Sequence, residues 1–192
     1  MLRLVSKAFM KSRRNFILQS SLGLLSLRTA KIPLLTNESK DFNGAIVNEE
    51  EGEAVQMRDG TAIVKIKISK ADGANSISFL SESFRPGDEL PVHKHMNEDE
   101  LIFIHKGTGL FTLGEKKYQV TEGGVILVPK GIWHGLKNNG TQNIEMRMGY
   151  TPSGFEGFFR EVGTPLGQTF VRKTLEERKA IALKWGMIYK YI

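Results

Sequence analysis

From residue 61 to residue 150 the chain is a series of short runs of alternating apolar and polar residues, each closed by a glycine-containing turn, with no helical period between them. Val64, Ile66 and Ile68 alternate with Lys65 and Lys67 in Thr61 to Ser69, and Ile77 and Phe79 alternate with serine in Ser76 to Phe84. A period of two places alternate side chains on opposite faces of a strand. Further strand-length runs fall at Glu100 to Lys106, Leu110 to Leu113, Lys117 to Val120, Val125 to Val128 and Ile144 to Tyr150. Turn chemistry separates them at Asp72-Gly73, Arg85-Pro86-Gly87-Asp88, Gly107, Gly114, Gly123-Gly124 and Asn138-Asn139-Gly140. Many short strands without intervening helices predict an all-β sandwich or barrel.

Helical patterns follow the strands. Ser153 and Glu156 have the spacing of a capping box before an apolar face of Phe155, Phe158, Phe159 and Val162, with Gly163 as the stop. Thr174 and Glu177 form a second such box before a helix ending near Trp185-Gly186. Phe158, Phe159 and Trp185 are expected to pack against one side of the barrel. The chain therefore reads as an N-terminal leader over 1–30, an arm or linker over 31–52, a barrel over 53–150 and a C-terminal helical extension over 151–192.

Charge and cysteine content narrow the functions. The net charge of +6 comes from residues 1–30, which hold six basic residues and no acid. The remainder carries 21 basic and 21 acidic residues, and no lysine or arginine stripe of the kind that binds nucleic acid. With no cysteine, disulfides, thiol nucleophiles, iron–sulfur clusters and thiolate zinc sites are excluded. A metal would have to be held by histidine, carboxylate or backbone oxygen.

The histidines fall into place along the strands. His93 and His95 are two apart, so on a strand they share a face and can chelate one metal ion. Glu100 opens the next strand with Ile102 and Ile104 on its face, while Leu101, Phe103 and His105 point the other way, which excludes His105 as a ligand. His134 follows the Pro129–Gly131 turn. Three imidazoles and one carboxylate suit Fe, Mn, Co, Ni, Cu or Zn, and an octahedral ion so held keeps two positions open for substrate or O₂. Glu98 and Asp99 are read as a solvated acidic bend. Trp133 is read as a packing residue.

Two motifs carry a resemblance. Gly87, His93, His95, Glu100 and Gly107 match Gly-x5-His-x-His-x4-Glu-x6-Gly, and Gly123, Pro129, Gly131, His134 and Asn138 match Gly-x5-Pro-x-Gly-x2-His-x3-Asn. With 15 residues between them, this resembles the cupin superfamily. The segments Pro91 to His95, Asn97 to Glu100 and Thr151 to Gly163 look like the quercetinase-like small cupins. The resemblance implies a double-stranded β-helix, a jelly-roll barrel, with one divalent transition metal held by His93, His95, Glu100 and His134. It further implies a metal-dependent dioxygenase in which Glu100 is the catalytic base for a small aromatic or enolisable substrate and O₂ is the co-substrate. A non-catalytic ligand- or metal-binding module, or an isomerase or decarboxylase, would use the same residues. Ile102, Ile104, Met146, Met148 and Phe79 are expected to line the pocket.

Residues 12–18, Ser-Arg-Arg-Asn-Phe-Ile-Leu, resemble the twin-arginine export signal, and the weakly apolar stretch from Phe16 to Leu27 is too short and polar to span a bilayer. The resemblance implies an exported or periplasmic protein without a membrane span; an amphipathic helix on a cytoplasmic protein is the alternative. A homodimer formed through a sheet edge or the N-terminal arm is expected.

Overall fold

The computed structural model describes residues 44–190; the leader and most of the arm lie outside the described residues. Twelve strands and two helices follow in the order β1 Glu53–Met57, β2 Ala62–Ile68, β3 Ser78–Phe84, β4 Glu89–His95, β5 Asp99–Lys106, β6 Thr108–Leu113, β7 Lys116–Thr121, β8 Val125–Val128, β9 His134–Lys137, β10 Ile144–Thr151, α1 Glu156–Val162, β11 Thr164–Pro165, α2 Leu175–Lys184 and β12 Met187–Tyr189. They form two antiparallel sheets, a seven-stranded one in the order β11-β1-β2-β3-β10-β5-β8 and a five-stranded one in the order β12-β4-β9-β6-β7. This is the double-stranded β-helix that the sequence resembles. Among the described residues no helix is long and apolar enough to cross a membrane.

The inner faces of both sheets meet in a core that includes Leu80, Phe84, Ile102, Ile104, Phe111, Leu136, Met146 and Met148. Removing such side chains from water is the dominant favourable term for a fold of this kind. Alternation predicts most of these positions but fails on β3. Ile77 and Phe79 are 46% and 38% exposed, whereas Ser78 and Leu80 are fully buried. The reason is the register. Leu80 pairs with Ile66 and with Met148, so the inward set of β3 is the even-numbered one up to Leu80, and the apolar residues beside it face outward. On β2 a bulge between Ile66 and Ile68 buries Lys67, whose ammonium donates to the carbonyls of Asn48, Glu49 and Glu51.

Gly107, between β5 and β6, has φ +85°, and a Cβ there would lie 2.5 Å from the Asn143 carbonyl oxygen. The backbone conformation and the close approach both require glycine.

The second capping box forms as predicted, with Thr174 and Glu177 exchanging side-chain and backbone hydrogen bonds. The first does not. Phe155, not Ser153, is the N-cap of α1, and the buried Glu156 carboxylate accepts from the backbone N–H groups of Gly154 and Lys70, both at 2.7 Å. Glu156 thus ties α1 to the turn after β2 and has no group left for a box. Phe158 and Phe159 are buried, and Trp185 packs against the core as expected.

The face of α1 toward α2 is closed by contact between Gly157 and the Trp185 indole, where an added Cβ would fall within the ring. Gly157→Ala should therefore destabilise the protein. Overpacking costs about 1–3 kcal/mol, while alanine returns about 1 kcal/mol of helix propensity, leaving a net loss of up to about 2 kcal/mol. Chemical denaturation measures this directly, and a variant as stable as the parent would contradict the packing described.

Candidate metal centre and cavity

His93 and His95 project inward from β4 and are 3% and 2% exposed. His134, fully buried at the start of β9, is the direct cross-strand partner of His93. Glu100 reaches the same point from β5 in the other sheet. The potential ligand atoms of these four residues lie within 4.8 Å of one another. The loop before His134 is pinned from both sides. The Gly131 N–H donates to the His95 carbonyl at 2.6 Å, and the Lys130 N–H donates to Asp99 Oδ1 at 2.8 Å.

Two of the imidazoles are oriented by the backbone. His93 Nδ1 lies 2.8 Å from the Pro91 carbonyl and His134 Nδ1 lies 3.0 Å from the Ile132 carbonyl, so each ring directs Nε2 into the cluster. Such outer hydrogen bonds fix the tautomer of a metal-binding histidine. Both nitrogens of His95, Nε2 of His134 and Oε2 of Glu100 are buried without a hydrogen-bond partner. Unmet polar atoms in a core cost about 1–3 kcal/mol each. Four converging residues, three of them with unmet polar atoms and with Glu100 Oε2 2.9 Å from His134 Nε2 and 3.5 Å from His95 Nε2, fit a cation, and the three-nitrogen, one-oxygen donor set fits a divalent transition metal. Burial, reinforced by His134 and His95, holds the His93 imidazole well below its usual pKa and so neutral, as a ligand must be. Burial alone would push the Glu100 carboxyl up, but the His134 and His95 rings beside it more than reverse this and keep it ionised.

A cavity of about 440 Å³ opens against the cluster, with His93 in its wall. Met148, Tyr150, Phe155, Phe158 and Tyr189 line its apolar side, and an ion pair between Arg58 and Glu82 lies on its polar side. Of the five expected lining residues, Met148 is in the wall. Ile102, Ile104 and Met146 are buried in the core behind it, and Phe79 is on the opposite face of its sheet. Tyr150 is a site residue the motifs do not reveal. It sits directly opposite Glu100 in the β10–β5 pairing. Burial and the Glu100 charge push its phenol well above the usual range, so it stays protonated. Its position two residues after Met148, which is two after Met146, is the signal that would have found it.

His105 is exposed, as strand alternation predicts. Trp133 is half-buried and carries the Lys94 ammonium 4.7 Å above its ring, outside the cavity wall. The acidic bend differs from expectation. Asp99 is held by Lys130, and Glu98 is only 7% exposed, its carboxyl pushed up to about 7 by burial.

Glu82 gives a pH signature. Burial pushes its carboxyl up from 4.5 to about 7, outweighing the opposite pull of Arg58. An acid with a raised folded-state pKa binds its proton more tightly in the folded protein, so its contribution to stability is present at low pH and lost as pH rises between the two values. Glu82→Gln removes that loss. Its stability relative to the parent should improve by up to about 3 kcal/mol from pH 4.5 to pH 7. Denaturation at both pH values measures the change, and a pH-independent difference would contradict it.

Residues 80–149, which contain all four clustered residues, match the family model described as Cupin domain. A germin-like protein, 5-1, from Oryza sativa subsp. japonica is 31% identical over 88 residues, covering 42% of this chain and 40% of the relative. An uncharacterized protein of Acanthamoeba polyphaga mimivirus is 31% identical over 112 residues, covering 56% of this chain and 70% of the relative. The crystal structure of a predicted oxalate decarboxylase from Thermotoga maritima aligns with a TM-score of 0.50 and 23% identity over 56% of this chain and 99% of that one, a likeness of fold. The chain carries a cupin domain over residues 80–149. It spans 40–50% of the length of the first curated relatives it matches.

Proposed function

We propose that the protein is a metal-dependent oxidoreductase of the dioxygenase type acting on a small aromatic or enolisable substrate. The observation that carries this reading is the opening of the His93 side of the cluster into a cavity walled by aromatic rings. A divalent transition metal held by His93, His95, Glu100 and His134 would supply Lewis acidity and access to O₂. The rest falls to the chain. Phe155, Phe158 and Tyr189 offer flat apolar surfaces on which a planar substrate stacks and from which water is displaced. Glu100, ionised and buried, accepts the proton of the substrate hydroxyl at a carboxylate oxygen. Tyr150, protonated, sits opposite Glu100 across the β10–β5 pair, its hydroxyl directed to Met148 Sδ at 3.6 Å. Oxygen uptake by metal-loaded protein with a panel of flavonols and β-dicarbonyls tests the proposal. Uptake that disappears on chelation is expected, and no uptake with any substrate under any metal loading would reject the dioxygenase reading.

A further inference from the structure

The cavity wall holds one side chain whose hydrogen-bonding capacity the protein leaves mostly unused. Arg58 follows β1 and reaches Glu82 on β3 from within the cavity wall. A guanidinium offers five N–H donors. Among the described residues only Nη2 meets an acceptor, the Glu82 carboxylate. Nε is buried without a partner, and the guanidinium carbon lies 4.0 Å above the Phe84 ring. A buried donor without an acceptor is costly. The free edge of the fork therefore calls for an acceptor that the chain itself does not supply.

The backbone is bent to hold it there. Arg58, Asp59 and Gly60 have φ of 46°, 62° and 79°, three consecutive residues in the left-handed region. Residues other than glycine rarely occupy it, and such strain collects where a side chain must be fixed for function. Phe170 packs on the turn, where a Cβ on Gly60 would lie 3.4 Å from it. The charges of the wall favour an anion. Its acids are all engaged, Asp59 with Arg172, Glu82 with Arg58 and Glu89 with Lys137, whereas Lys173 and Arg178 form no ion pair among the described residues.

We propose that Arg58 binds the carboxylate of a planar aromatic or enolisable acid whose apolar part lies against Phe155, Phe158 and Tyr189. This rests on the reading of the cavity as a substrate site, and it adds the charge of the substrate and the residue that selects it. The planar fork matches a carboxylate, which can accept two parallel N–H···O bonds from it. Glu82 narrows the class further. A doubly charged phosphate would meet about twice the repulsion from its carboxylate that a singly charged acid meets. Burial pushes the Glu82 carboxyl up to about 7, so near neutral pH it carries less than a full charge and tolerates one carboxylate nearby.

Isothermal titration calorimetry of 4-hydroxybenzoate, and of its uncharged counterpart 4-hydroxybenzamide, into the purified full chain at pH 7 is the test. The parent should bind the benzoate at least about tenfold more tightly than the benzamide. Glu82→Gln keeps an acceptor for Arg58 and removes the neighbouring charge, so it should bind the benzoate at least as tightly as the parent. Arg58→Gln combined with Glu82→Gln removes the guanidinium without leaving a buried carboxylate unpaired. This double variant should lose about 10–100-fold in benzoate affinity, the worth of hydrogen bonds to a charged group, with benzamide affinity changed less than about threefold. If it does not fold, Arg58→Lys keeps the charge but not the fork and should lose about tenfold for the benzoate alone. A parent that binds neither probe, or both equally, overturns the inference, as does a folded double variant that still prefers the benzoate. Oxygen uptake reports separately on the dioxygenase reading. An Arg58-dependent preference in a protein that consumes no oxygen leaves this inference standing without that reading, and uptake with neutral substrates alone, without the preference, does the reverse.

Discussion

His93→Ala, His95→Ala and His134→Ala are each expected to lose nearly all bound metal at stoichiometric concentration, whereas His105→Ala retains it. Loss of an outer hydrogen bond to a metal ligand costs about 10–100-fold in affinity, so loss of the ligand itself should cost at least ~100-fold. The prediction rests on direction as much as identity. His93, His95 and His134 converge from β4 and β9 with their polar atoms buried, while His105 lies on the solvent side of β5, only five residues from Glu100. Elemental analysis of the four purified variants measures the effect. Metal loss from His105→Ala equal to that of the others would contradict the geometry.

Glu100→Gln should abolish turnover while leaving the metal in place at saturating concentration. The amide keeps the shape of the carboxylate, and the three imidazoles still offer their nitrogens. It cannot accept a proton, and general-base steps are worth about 10²–10⁴-fold, so the rate should fall by that factor at full occupancy. The comparison requires a substrate identified through oxygen uptake. A metal-loaded Glu100→Gln with near-parental turnover would remove the base role and leave Glu100 as a ligand at most. Tyr150→Phe separates positioning from chemistry. It removes only the hydroxyl of the residue paired with Glu100, so a modest rate change with a shifted pH profile is expected, not a collapse.

The strand framework and the convergence of His93, His95, Glu100 and His134 are legible in the sequence because both follow from fixed geometry. Alternation on β5 sends Glu100 inward and His105 outward, and the two-residue spacing on β4 puts both imidazoles on one face. What escapes the sequence depends on contacts between distant segments. The outward turn of Ile77 and Phe79 is set by the register of β3 against β2 and β10, and no local pattern distinguishes it from the inward alternative. Glu156 matches a capping box in spacing, but the Lys70 N–H, 86 residues away, claims its carboxylate. Glu98 sits in an acidic stretch that resembles a solvated bend until the rest of the fold covers it. Short strands such as β11 and β12 have no periodicity to read. Yet β12 lies against the metal-binding strand, with Tyr189 opposite His93 and Met187 opposite His95.

The function of the site turns most directly on whether the cluster holds a metal. Elemental analysis of the parent protein, desalted after incubation with Fe, Mn, Co, Ni, Cu and Zn in turn, should find close to one equivalent per chain of at least one of these ions, displaced by a strong chelator. Only trace amounts of every ion would contradict it.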